Sequence, residues 1–131
     1  MVNKLKKILF KRSEGFENLK TPQNMEARFE LSYKDLKIGY LSLANGEWSF
    51  AYSDEFKKQN RLLPMIDFPD VNKVYQSEEL WPFFTSRIPS QSQPEIQSVI
   101  RQNKIDADNE VSLLEFFGKR TITNPFLLEL A

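Results

Sequence analysis

Apolar and polar residues alternate strictly over Ala27-Arg28-Phe29-Glu30-Leu31-Ser32-Tyr33. One face of such a segment carries Ala27, Phe29, Leu31 and Tyr33, and the other carries Arg28, Glu30 and Ser32. A period of two with one wet face is the habit of a strand in an antiparallel sheet. Lys34-Asp35 reads as a tight turn, and Leu36-Lys37-Ile38-Gly39-Tyr40-Leu41 returns as a second strand. Asn45-Gly46 is a strong short turn signal, because a two-residue type I′ turn needs positive φ at both central positions. A third strand follows from Glu47 to Tyr52, so the first half of the chain predicts a three-stranded meander.

The period then changes. Ser53 is placed to cap a short helix over residues 54–59, with acidic residues in its first turn. Leu62-Leu63-Pro64-Met65-Ile66 reads as a strand or an extended edge, and Pro64 and Pro69 argue against a central strand. Ser77 is a candidate cap for a helix over residues 78–84, in which Leu80, Phe83 and Phe84 share one face and Pro82 sits about one turn in. Ser92-Gln93-Pro94-Glu95 has the form of a capping box, opening a helix with Ile96, Val99 and Ile100 as its inner stripe. Asp106 or Asp108 would cap a last helix carrying Val111, Leu113, Leu114, Phe116 and Phe117, stopped by Gly118. Asn124-Pro125 precedes an apolar tail over residues 126–130, which either packs back on the domain or offers apolar surface to another chain. Strands first and helices second predict an α+β domain: an antiparallel β-meander or small barrel followed by about three helices packed on it.

Charge divides the chain further. The formal net charge is zero, yet residues 1–20 hold six basic residues against two acidic ones, a local +4 balanced by −4 elsewhere. Residues 1–24 therefore read as a basic, partly ordered N-terminal arm ahead of a single domain at 25–131. The arm either keeps the protein soluble or docks on a partner or on phosphates. A chain of 131 residues with eleven Phe, four Tyr and two Trp can bury a substantial core without staples. The absence of Cys excludes disulfides and thiol catalysis, and the absence of His removes the commonest general base and metal ligand. Ile8-Leu9-Phe10 is too short for a signal-peptide core, and no apolar run approaches the roughly 20 residues of a membrane span. The expected location is cytoplasmic, without membrane association.

Little catalytic chemistry remains. Four glycines cannot assemble a phosphate loop or a dinucleotide fingerprint. Asp106-Ala107-Asp108-Asn109-Glu110 has the alternating oxygens of a calcium loop, but Val111 and Phe117 stand where Gly and Glu are needed, so helix capping explains it better. Glu78-Glu79 fits acids at a helix N-terminus. No cofactor and no catalytic residue is expected. Trp81 lies one residue out of phase with the Leu80/Phe83/Phe84 stripe, which makes it either a semi-core residue or an aromatic anchor for a partner. Trp and Arg dominate interface hot spots, and Arg87, just past this helix, could serve alongside it.

The landmarks Gly39-Tyr40-Leu41, Phe50-Ala51-Tyr52, Leu63-Pro64, Pro82-Phe83-Phe84 and Leu113-Leu114 with Gly118 occur in an order that resembles the N-terminal subdomain of HipA-type toxin kinases. The resemblance covers roughly residues 36–118. Arg87-Ile88-Pro89-Ser90 departs from the Leu-Leu-Pro-Glu-Gly usual in that family. The resemblance implies no kinase activity, because the nucleotide-binding and catalytic groups of full-length members belong to a body that follows this subdomain. It is similar to the HipS-like free-standing subdomain of split, HipBST-type toxin–antitoxin systems. It therefore implies a non-enzymatic antitoxin or regulatory subunit that binds a separately encoded HipA/HipT-like Ser/Thr kinase, with a HipB-like helix-turn-helix DNA-binding protein as a further partner. Trp81, Phe83, Phe84 and Arg87 are the expected partner contacts. Two rivals stand beside this reading: a nucleic-acid-binding accessory protein that uses the basic arm, and a subunit that completes and activates the kinase. Direct nucleic-acid binding is disfavoured by the neutral total charge and the lack of a recognisable reading helix.

Overall fold

The computed structural model of the protein describes residues 20–121 and 124–131. Five antiparallel strands form one open sheet: β1 (Ala27–Tyr33), β2 (Leu36–Ala44), β3 (Glu47–Tyr52), β4 (Tyr75–Ser77) and β5 (Leu127–Leu130). Their order across the sheet is β4-β3-β2-β1-β5. The expected meander is its centre. The sheet does not close, so the small-barrel alternative gives way to an open sheet with β4 and β5 at its edges.

Turn chemistry sets the register. Asn45 and Gly46 both take positive φ, 54° and 74°, as a type I′ turn requires, and Lys34 takes 55° in the first hairpin. The register places Phe29, Leu41, Phe50 and Tyr75 in one row and Leu43, Trp48 and Ser77 in the next. Residues alternate across a strand, so these rows line one face, which the helices cover. Between Leu31 and Ser32 the register slips: Leu31 faces Gly39 and Ser32 faces Lys37, which leaves Ile38 as the extra residue of a bulge.

Four helices occur among the described residues: α1 (Asp54–Lys57), α2 (Pro82–Thr85), α3 (Pro94–Gln102) and α4 (Glu110–Phe117). Two are single turns, and the helix boundaries differ from expectation in an instructive way. Ser53 caps α1 as expected, accepting from the Phe56 amide at 3.0 Å, but the helix ends two residues early. Residues 78–80 are not helical. Ser77 belongs to β4, and α2 begins at Pro82 with Trp81 at the N-cap. Proline at the first helical position loses no hydrogen bond, because that amide has no intrahelical acceptor. The same preference places Pro94 first in α3 with Gln93 as its cap, so the Ser92/Glu95 box does not form. Asn109 caps α4 in place of either aspartate, accepting from Val111 and Ser112 at 2.9 and 3.2 Å. Residues 62–66 form a loop, not a strand.

The core is aromatic at its centre. Phe50 stacks on Phe68 at 4.5 Å, meets Tyr52 edge-on at 5.2 Å and leans on Phe84 at 5.9 Å. Leu31, Leu41, Leu113 and Leu114 are fully buried around them. The tail packs back: β5 pairs with β1, with Leu128 buried opposite Leu31, while Leu130 stays half exposed.

Only the end of the expected arm lies within the described residues, and it is tied to the domain. Lys20 bridges Asn109, and its carbonyl accepts from the Glu110 amide at 3.1 Å. The Trp48 indole donates to Thr21 Oγ1 at 3.1 Å, and that hydroxyl donates to Glu110 Oε1 at 2.7 Å. This chain of hydrogen bonds satisfies a buried indole N–H and a buried carboxylate together.

Candidate protein-docking surface

The four residues expected to meet a partner separate into two pairs. Phe84 is fully buried, its ring between Phe50, Phe68 and Phe83. Arg87 is 4% exposed. Its guanidinium is occupied inside the domain: Nε donates to the Gly118 carbonyl, Nη2 to the Lys119 and Phe126 carbonyls at 2.9 and 2.8 Å, and Nη1 to Asn124 Oδ1 at 3.3 Å. These acceptors belong to the end of α4 and the approach to β5. Arg87 thus fastens the tail to the helices, the geometry that a planar five-donor fork allows. Burial lowers its pKa to about 10, still far above neutrality, so the group is charged under ordinary conditions. Phe84 and Arg87 present no direct contact surface in this structure and can serve an interface only by supporting it.

Trp81 and Phe83 differ. Both are half-buried on α2 and its cap. Trp81 meets Phe68 edge-on at 5.0 Å, and its carbonyl accepts from the Phe84 and Thr85 amides at 2.9 and 3.0 Å. Phe83 packs against Phe84 at 5.1 Å and against Phe126 at 6.0 Å. Each ring is therefore braced by the core and keeps part of its surface in solvent, a combination that a rigid aromatic anchor requires.

A second feature escaped the sequence reading. The loop over residues 59–68 holds two aliphatic side chains almost wholly in solvent, Leu63 at 86% and Ile66 at 96% exposure. Its backbone is nonetheless fixed. The Gln59 carboxamide accepts from the Arg61 and Leu62 amides, each at 2.9 Å, and donates to the Phe56 and Leu62 carbonyls at 3.2 and 3.0 Å. The Tyr52 hydroxyl accepts from the Met65 amide at 2.8 Å and donates to the Phe68 carbonyl at 2.6 Å. Burial raises the Tyr52 pKa to about 12, so the hydroxyl keeps the proton it donates. The signal available was Pro64 inside, and Pro69 after, an apolar pentad that is therefore a poor central strand.

A well-formed concavity on the described surface is polar. A groove of about 820 Å³ opens at the β2–β3 turn, lined among others by Glu47, Glu78, Glu79, Gln76 and Glu110, with Lys20 at its side. Its sign is wrong for phosphate. No grouping of three or more acidic residues among the described residues is arranged to hold a metal ion, and no described helix is long and apolar enough to cross a membrane.

Comparison with known proteins agrees with the strand and helix landmarks. A family model described as the HipA N-terminal domain matches residues 29–123. No curated protein matches the chain.

Proposed function

The chain belongs to the HipA N-terminal domain family, and on that premise we propose that it is a non-catalytic antitoxin or regulatory subunit that binds a separately encoded HipA/HipT-like Ser/Thr kinase. Family membership points to a toxin–antitoxin-related role. The interface with the kinase is apolar at its centre and polar at its rim, as where two parts of one molecular body meet.

The observation that carries this reading is Trp81, a half-open indole braced on Phe68 at the head of a one-turn helix. Phe83 extends the same apolar surface toward Phe126. Phe84 and Arg87 hold that surface in place from beneath.

The test is co-purification of the tagged full-length protein from its own host, followed by mass spectrometry. A HipA-type kinase at near-equal stoichiometry supports the reading. Trp81→Ala is expected to weaken capture by about tenfold or more, the size of an aromatic hot spot. Kinase autophosphorylation with and without the protein then separates restraint from completion of the kinase. Capture of nucleic acid without a kinase, lost on deleting residues 1–19, would contradict the reading.

A further inference from the structure

Leu63 and Ile66 stand out because two opposed facts meet in them. Their side chains are nearly as exposed as in an unfolded chain, while the backbone that carries them is held by five hydrogen bonds from two side chains, Gln59 and Tyr52, and a sixth ties Gln59 to the Phe56 carbonyl of α1. A loop that merely tolerated exposed aliphatic residues would not need that clamp. The Tyr52 ring is itself anchored, stacked on Phe56 at 4.6 Å and edge-on to Phe50. Phe68 closes the loop through its amide, which donates to the Met65 carbonyl at 3.0 Å. The same Phe68 ring braces Trp81 at 5.0 Å. Loop and indole are therefore mounted on one aromatic base.

We propose that the loop over residues 61–67 is a preformed apolar knob that inserts Leu63 and Ile66 into an apolar pocket of the kinase partner, as a second anchor beside Trp81. The inference rests on the reading of the partner given above. The shape selects the occupant. Two protruding aliphatic side chains require a concave apolar complement. On a second copy of this chain the groove at the β2–β3 turn would be a poor one, since its lining is dominated by acids, amides and hydroxyls. Two side chains also cover far less than the roughly 1,200 Å² at the low end of stable interfaces, so the knob belongs to a wider contact that continues to Trp81 and Phe83. The clamp gives the knob its value, because a loop already in its bound shape loses little conformational freedom on docking.

The experiment titrates the full-length protein with the HipA-type kinase from the same genome. The Leu63→Asp/Ile66→Asp pair is expected to weaken binding by about tenfold or more, with circular dichroism and Tm unchanged, because neither side chain contributes to the core. Leu63→Ser/Ile66→Ser repeats the test without added charge. Gln59→Ala keeps both apolar side chains, loosens the clamp and is expected to weaken binding by several fold. If the wild type binds the kinase and the Ser and Asp pairs bind equally well, the knob is refuted and the kinase reading survives. If the wild type does not bind the kinase, both fall. Binding of the wild type to anionic lipid vesicles, lost in the Asp pair while kinase binding is unaffected, would also overturn the proposal, by assigning the loop to a membrane surface.

Discussion

Tyr52 and Arg87 illustrate how much of this small domain depends on single polar groups. The Tyr52 hydroxyl serves two backbone groups of one loop. Tyr52→Phe leaves an amide and a carbonyl without their partner and is expected to cost about 1–3 kcal/mol. The pH dependence follows from the raised pKa. A proton held up to about 12 in the folded protein and lost near 10 in the unfolded chain stabilises the fold fully below pH 10. That contribution fades as pH rises from about 10 to about 12. Denaturant titrations of wild type and Tyr52→Phe should therefore differ at pH 8 and converge toward pH 12. Arg87 acts through number: Arg87→Ala removes its hydrogen bonds to three carbonyls and to the Asn124 side chain at once, although Lys119 and Asn124 keep the Leu128 and Phe126 amides as donors. The expected loss is about 1.5–3 kcal/mol, the range for hydrogen bonds to a charged group. Arg87→Lys should recover only part of it, since an ammonium cannot span a fork. Hydrogen exchange provides the check, with Leu128 and Glu129 amides losing protection first.

At the scale of elements, turn chemistry explains what the sequence made legible and packing explains what it did not. The alternation of Ala27–Tyr33 and the Asn45-Gly46 pair defined β1, β3 and their turns because both signals are local. The Gly39-Tyr40-Leu41 landmark has an equally local cause. A Cβ on Gly39 would lie 2.5 Å from the Ala51 carbonyl and 2.7 Å from Phe50 Cζ. Gly39→Ala is thus expected to destabilise by about 1–3 kcal/mol, through forced movement of β3 and the central ring, measured as a drop in Tm. Helix starts were less legible. Ser77, Ser92 and the two aspartates are all acceptable caps by type, and the choice fell to Pro82, Pro94 and Asn109, whose neighbours pack correctly. The C-terminal strand was legible only as an apolar run, because its pairing with β1 spans almost the full chain. Gly118 stops α4 with φ of −83°, an ordinary helical value and not the left-handed one that its position suggested.

For the whole molecule, the α+β class followed from strands preceding helices, and the open sheet follows from β4 and β5, two short edge strands that were not evident locally. The docking surface was half legible. The aromatic cluster around Trp81 was visible in the spacing, but periodicity alone could not decide which members face inward, and Phe84 and Arg87 belong to the interior. The knob at Leu63 and Ile66 was hidden because exposed aliphatic residues in a sequence look like core. These features support one account: a sheet whose helical side is packed, a tail fastened by Arg87, and a partner-facing surface built on Phe68. The most direct test mixes the purified full-length protein with the HipA-type kinase from the same genome and measures the mass of the complex by light scattering. The account predicts a one-to-one complex at micromolar concentration that Trp81→Ala dissociates without unfolding the protein. Two separate species for the wild type, under conditions where both proteins are folded, would contradict it.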